Sequence, residues 1–159
     1  MSADISNGLG RQQAALLAAL LSDGPLPAGF DAARIQAAAR GLEAKRKHAV
    51  TNAWPILSDA LGDRYSRLFD AYTASNTLPT QGNAQLDGYL FCEWLAGCRE
   101  FPREAVIERM RFDLHYFVSA NRVRIRRGPR MLVARSGGES KWVVALRLPW
   151  FGEYWLYGE

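Results

Sequence analysis

Few side chains in this sequence are of the type that performs chemistry. The candidate metal ligands, bases and nucleophiles are His48, His115, Cys92 and Cys98. Cys92 and Cys98 are six positions apart in one apolar stretch. On a helix that spacing points them to different faces, and it exceeds the two to four intervening residues usual between zinc cysteines. They read as buried free thiols. His115 lies near an expected helix end and reads as a capping or otherwise satisfied histidine, while His48, after three basic residues, reads as exposed. Glu104 and Glu108 share a helix face with Arg103, Arg109 and Arg111 nearby, the pattern of a solvated charged face rather than an acid/base pair. The nucleophile elbow, the phosphate loop and the dinucleotide fingerprint are all missing. The residues therefore predict no catalytic site, no metal and no cofactor, and point to a binding module rather than an enzyme.

The charges are more telling. The chain has 159 residues and a net charge of +4. From Leu114 to Gly138 there are six arginines, Arg122, Arg124, Arg126, Arg127, Arg130 and Arg135, and no acid. The remainder carries 14 basic and 16 acidic residues, a net of −2, so all the basicity lies in one short segment. Such a segment attracts an acidic peptide, an acidic partner surface or nucleic acid. Equally, arginines on an exposed sheet keep it from aggregating. Lys45-Arg46-Lys47 reads as helical surface charge, since Lys45 and Lys47 sit roughly 200° apart on a helix. Trp142, Trp150, Phe151, Tyr154, Trp155 and Tyr157 crowd the C-terminal stretch. A small meander cannot bury them all, and an exposed aromatic patch marks a partner site. An open sheet edge beside it would accept an extended peptide as an added strand. The expected binding residues are the six arginines with Trp142, Trp150 and Tyr154.

The elements that position these residues follow from periodicity. Arg11 to Leu21 carries a helical stripe of Leu16, Leu17, Leu20 and Leu21, broken by Asp23-Gly-Pro-Leu-Pro27. Asp31 is the expected N-cap of a helix running to about Ala53. Pro55 starts a new helix, and Gly62-Asp63 closes it and opens the next, with Tyr65, Leu68, Phe69 and Tyr72 on one face. Ser75 to Gln85 is a loop; Leu86 to Ala96 is an apolar helix. A last helix begins at Pro102 and is expected to end near Asn121. Then the period drops to 2. Arg122 to Arg126 reads as a strand with Val123 and Ile125 inward, paired through Gly128-Pro129 with Met131 to Arg135. Lys141 to Leu148 is a third strand, with Trp142, Val144, Leu146 and Leu148 on one face, and Tyr154 to Tyr157 a fourth. The expected architecture is α+β: a disordered stretch over 1–10, a helical bundle of about five or six helices over 11–120, and an antiparallel β meander over 121–159 packed on it. With 48% hydrophobic residues, no span of membrane length and no signal-like start, the reading is a cytoplasmic protein without a membrane partner.

The helical part resembles a known bacterial family. The residues that carry the likeness are Leu16-Leu-x-x-Leu-Leu, Pro25-Leu-Pro-Ala-Gly-Phe30, Ala44-Lys-Arg46, Val50-x-x-Ala-Trp-Pro-x-Leu57, Ala60-Leu-Gly62 and Phe69. They resemble a family carrying a DNA-binding-domain label. The likeness is closer to the related domain at the C-terminus of some actinobacterial proteins, behind a multinuclear non-haem iron oxidase barrel. The resemblance covers about residues 11 to 110. It implies a non-catalytic partner of that oxidase in the making of ribosomally synthesised, post-translationally modified peptides, binding the leader of the precursor peptide and presenting its cysteines to the iron enzyme. The label implies nucleic-acid binding as the alternative. The better-known branch has Tyr-Arg-x-x-x-Asn where this chain has Lys45-Arg46-Lys47.

Overall fold

A computed structural model describes residues 31–76, 82–135 and 141–158. The expected disorder over 1–10, the helix over 11–21, its Pro-rich stop, the middle of the loop after Ser75 and the turn at Ser136 to Glu139 lie outside those residues.

Helix α1 spans Ala32–Ala53, and its Asp31 cap accepts a hydrogen bond from the Ala33 amide at 2.9 Å. It stops at Trp54, whose backbone leaves the helical region because Pro55 follows. Pro55 opens α2, Pro55–Leu61, which ends at Gly62 with φ +52°, a conformation that favours glycine. Helix α3 is Arg64–Ser75 and α4 is Ala84–Gly97, the latter capped by the Asn83 side chain. Arg103–Ala105 forms a 3-10 turn that leads into α5, Val106–His115.

Helices α1 to α4 enclose a core of Val50, Trp54, Leu57, Leu61, Phe69, Tyr72, Phe91 and Leu95, joined by Phe112 of α5. Gly88 lets α4 lie flush on Trp54, since a Cβ there would sit 2.1 Å from the indole ring. Helix α5 is buried on two sides. Phe112 faces the helical core, whereas Met110 and Leu114, on the opposite side, pack on Val143 and Ala145 of the sheet.

The last helix ends at His115, not near Asn121. Tyr116–Ser119 is strand β1, paired antiparallel with β2, Arg122–Ile125. Aromatic and β-branched Tyr116, Phe117 and Val118 favour the strand. The two-residue turn Ala120-Asn121, with φ of +50° and +54°, reverses the chain tightly enough to fix it. This pairing removes β2 from the expected hairpin with Met131 to Arg135, so Gly128-Pro129 joins two sheets. Val123 packs on the helical core, but Ile125, expected inside, is 69% exposed at the hairpin's end. The second sheet is a meander ordered β3-β4-β5: Arg130–Arg135, Trp142–Leu148 and Gly152–Gly158. Trp142, Val144, Leu146 and Leu148 do share a face, but α5 covers the other one, through Val143 and Ala145. The fold is thus α+β, with helices preceding two antiparallel sheets.

Candidate binding site

The structure divides eight of the nine sequence-predicted binding residues into four groups. Arg122 and Arg124 are exposed on β2, opposite Ser119 and Phe117. Arg127 is exposed on the segment joining the sheets, and Arg130 is exposed at the start of β3. Arg135, Trp142 and Tyr154 belong to the outer face of the meander, where the Arg135 guanidinium lies 4.7 Å from the centre of the Trp142 ring. Trp150 sits in the β4–β5 turn and is 91% exposed.

Arg126 is instead part of the framework. Its Nε donates to the carbonyls of Asp113 and Tyr116, at 3.0 Å each, and its guanidinium covers the Phe117 ring. Its main-chain amide bonds the His115 carbonyl at 2.7 Å. Arg147, not singled out from sequence, donates to the Leu114 and Arg126 carbonyls at 3.3 and 2.7 Å. Together the two arginines satisfy carbonyls that the end of α5 leaves open. Inward parity beside Val143 and Ala145 is the signal that marks Arg147.

The Lys45-Arg46-Lys47 element is not merely surface charge. Arg46 enters the helical core, its side chain only 9% exposed, and grips Asp87 with two bonds of 2.6 and 2.7 Å. The Tyr72 hydroxyl donates to the same carboxylate at 2.8 Å. Burial opposes the charge on Arg46, but bonding and attraction to Asp87 outweigh it and hold the guanidinium above its ordinary range. Burial, reinforced by the Asp87 charge, drives the Tyr72 phenol up. Lys47 reaches Asp70 and the Ser66 hydroxyl at 2.7 and 2.8 Å.

A cleft of about 370 Å³ lies between the helices and the first hairpin, floored by Trp54 and Phe112 and rimmed by Glu108, Arg111, His115 and Tyr116. Glu108 is not on a solvated face. Its carboxylate accepts the Ile56 and Leu57 amides at 3.2 and 2.8 Å, closing the start of α2 from another helix. Burial raises its proton affinity even so. His115 ends α5 and pairs with Glu153 of β5. Although partial burial pushes the other way, the His115 bond and charge hold the Glu153 carboxyl below the usual range. Cys92 is buried as expected, its thiol pushed up to about 12 by burial. Cys98 is exposed, because it lies in the C-cap turn of α4. Among the described residues no three His, Cys, Asp or Glu side chains gather as a metal group, and no helix is long and apolar enough to cross a membrane. What the exposed parts can do is bind: arginines on a hairpin, and an apolar sheet face carrying one cation.

The sequence profile of the family described as SCO6045-like, C-terminal domain matches residues 10–97, more than half of the chain. A protein of Streptomyces avermitilis named "UPF0276 protein" is 39% identical over 83 residues, 52% of this chain but only 17% of that protein. The chain thus spans about a sixth of the curated relative it matches. No solved structure matches.

Proposed function

Since this chain belongs to the SCO6045-like C-terminal domain family, we propose that it is a non-catalytic cytoplasmic partner of a multinuclear non-haem iron oxidase. In this reading it binds the leader of a precursor peptide and the oxidase during biosynthesis of a ribosomally synthesised, post-translationally modified peptide. The observation that carries the reading is the family match over residues 10–97, a domain described as the C-terminal part of a longer protein. The match to a small fraction of a much longer relative fits a domain that works attached to, or beside, a larger protein. The surface chemistry is compatible with that role. Arg122 and Arg124 stand exposed on a two-stranded hairpin, and Trp142, Trp150 and Tyr154 present aromatic area nearby in sequence. Arginine and aromatic side chains are the types enriched at the centres of protein interfaces.

The second reading, nucleic-acid binding, draws on the exposed arginines Arg122, Arg124, Arg127 and Arg130. It predicts binding that weakens steeply with salt.

The experiment is co-purification of the tagged chain with the neighbouring oxidase and precursor peptide of its own genome. An Arg122→Glu/Arg124→Glu variant, left folded because both side chains face outward, is expected to weaken the complex at least tenfold. Unchanged affinity would remove the hairpin from the binding site. A chain that retains only nucleic acid, released by moderate salt, would favour the second reading.

A further inference from the structure

The outer face of the β3–β5 meander is built like an interior and is covered by nothing among the described residues. Residues paired directly across antiparallel strands point to the same side. The register therefore gives this face the rows Met131–Leu146–Tyr154 and Val133–Val144–Leu156, with Arg135–Trp142 at one end. Met131 is 64% and Leu156 67% exposed. Strand β4 is apolar on both sides, Val143 and Ala145 toward α5 and Val144 and Leu146 away from it. Strands of that composition ordinarily lie between two covering layers. Helix α5 supplies one layer, and no described residue supplies the other.

We propose that this face docks a single amphipathic helix of a partner protein whose apolar stripe is flanked by acidic residues. The dimensions suit one helix. Three strands spaced about 4.8 Å apart make a face about 10 Å wide, one helix diameter. The seven residues of β4 run about 20 Å, matched by roughly 14 helical residues at 1.5 Å each. Charge sets the rest. Arg135 is the one charged side chain among the described residues of this face, and it is already oriented by stacking on Trp142. An acidic flank on the helix therefore gains a charge-assisted contact with Arg135, while a second copy of this chain, with the same Arg135 and a net charge of +4, meets repulsion. Nucleic acid would leave the apolar rows uncovered. The inference rests on the partner-protein reading only in taking the occupant to be protein.

The probe is a synthetic amphipathic peptide of about 14 residues, with a Leu/Ile stripe flanked by Glu, and its twin with Lys in place of Glu. Binding to the full chain is followed by fluorescence anisotropy. The acidic peptide is expected to bind at least tenfold more tightly than the basic one. Leu156→Glu is expected to lower that affinity at least tenfold with an unchanged circular dichroism spectrum, and Arg135→Glu to reverse the preference between the twins. Equal binding of both peptides, no binding of either, or a dimer in solution that Leu156→Glu dissolves would each overturn the proposal. The two readings fail separately. Loss of oxidase and precursor binding in Arg122→Glu/Arg124→Glu, with neither peptide bound, would refute this face and leave the proposed function standing. Peptide binding without any oxidase complex would do the reverse.

Discussion

Arg46 carries the tightest polar commitment of the helical core. Its two bonds to Asp87, joined by Tyr72, place a charge pair among Phe69 and Tyr72 rings. Removing one partner leaves the other buried and uncompensated. Arg46→Ala is therefore expected to destabilise the chain by about 3–5 kcal/mol, measured by urea unfolding. Lys45→Ala, on an exposed site, should change stability by less than about 0.5 kcal/mol. Equal losses for the two would contradict the assignment. Glu153 gives a pH signature. Its pKa is lower in the folded chain than unfolded, so its contribution is present above the ordinary carboxylate range near 4.3 and is lost as pH falls through the lowered value. Between about pH 5 and 3, unfolding free energy should fall less steeply in Glu153→Gln than in the parent; parallel curves would show that the His115 pair contributes nothing. At this scale the sequence was a partial guide. His115 at a helix end and buried Cys92 were legible from local context. The insertion of Arg46 into the core was not, because its partner Asp87 lies 41 residues away. Glu108 likewise looked solvated until α2 was placed against it.

Elements were most legible where the pattern was local. Asp31, Pro55 and Gly62 punctuate the helices as their chemistry dictates, and the alternation after Asn121 marks strands. The failures share one cause: strand pairing is a long-range choice that periodicity does not reveal. Tyr116 to Ser119 continued a helical spacing of apolar residues, yet the Ala120-Asn121 turn and aromatic and β-branched side chains turned it into β1. Trp142, Val144, Leu146 and Leu148 make the more apolar face of β4, yet α5 takes the side of Val143, Ala145 and Arg147, so apolarity along one strand could not say which face it would take. Substitution resolves them. Ala145→Glu places a carboxylate against Met110 and Leu114 and should cost several kcal/mol or prevent folding. Leu156→Glu, on the open side, should leave thermal unfolding within a few degrees of the parent. Similar losses at both sites would mean the outer face is already covered. Asn121 occupies a left-handed position at φ +54°, so Asn121→Val is expected to destabilise by about 1–2 kcal/mol.

At the scale of the whole molecule, α5 is the joint. One side locks into the helical core through Phe112, the other carries the meander, and its C-terminal carbonyls are held by Arg126 and Arg147. The helical half, where the family match falls, thereby presents two β surfaces of different chemistry: an arginine hairpin and a broad apolar sheet face. That division was not visible in the sequence, which grouped all six arginines in one hairpin. It gives the chain two exposed surfaces of different chemistry, in keeping with the proposal that it holds both a peptide and an enzyme. The most direct measurement is the affinity of the purified chain for the oxidase and precursor peptide proposed as its partners, by co-purification and then titration. The account predicts a stable complex, weakened at least tenfold by Arg122→Glu/Arg124→Glu in a chain that still folds. Failure to bind either protein component, with nucleic acid as the ligand retained, would contradict it.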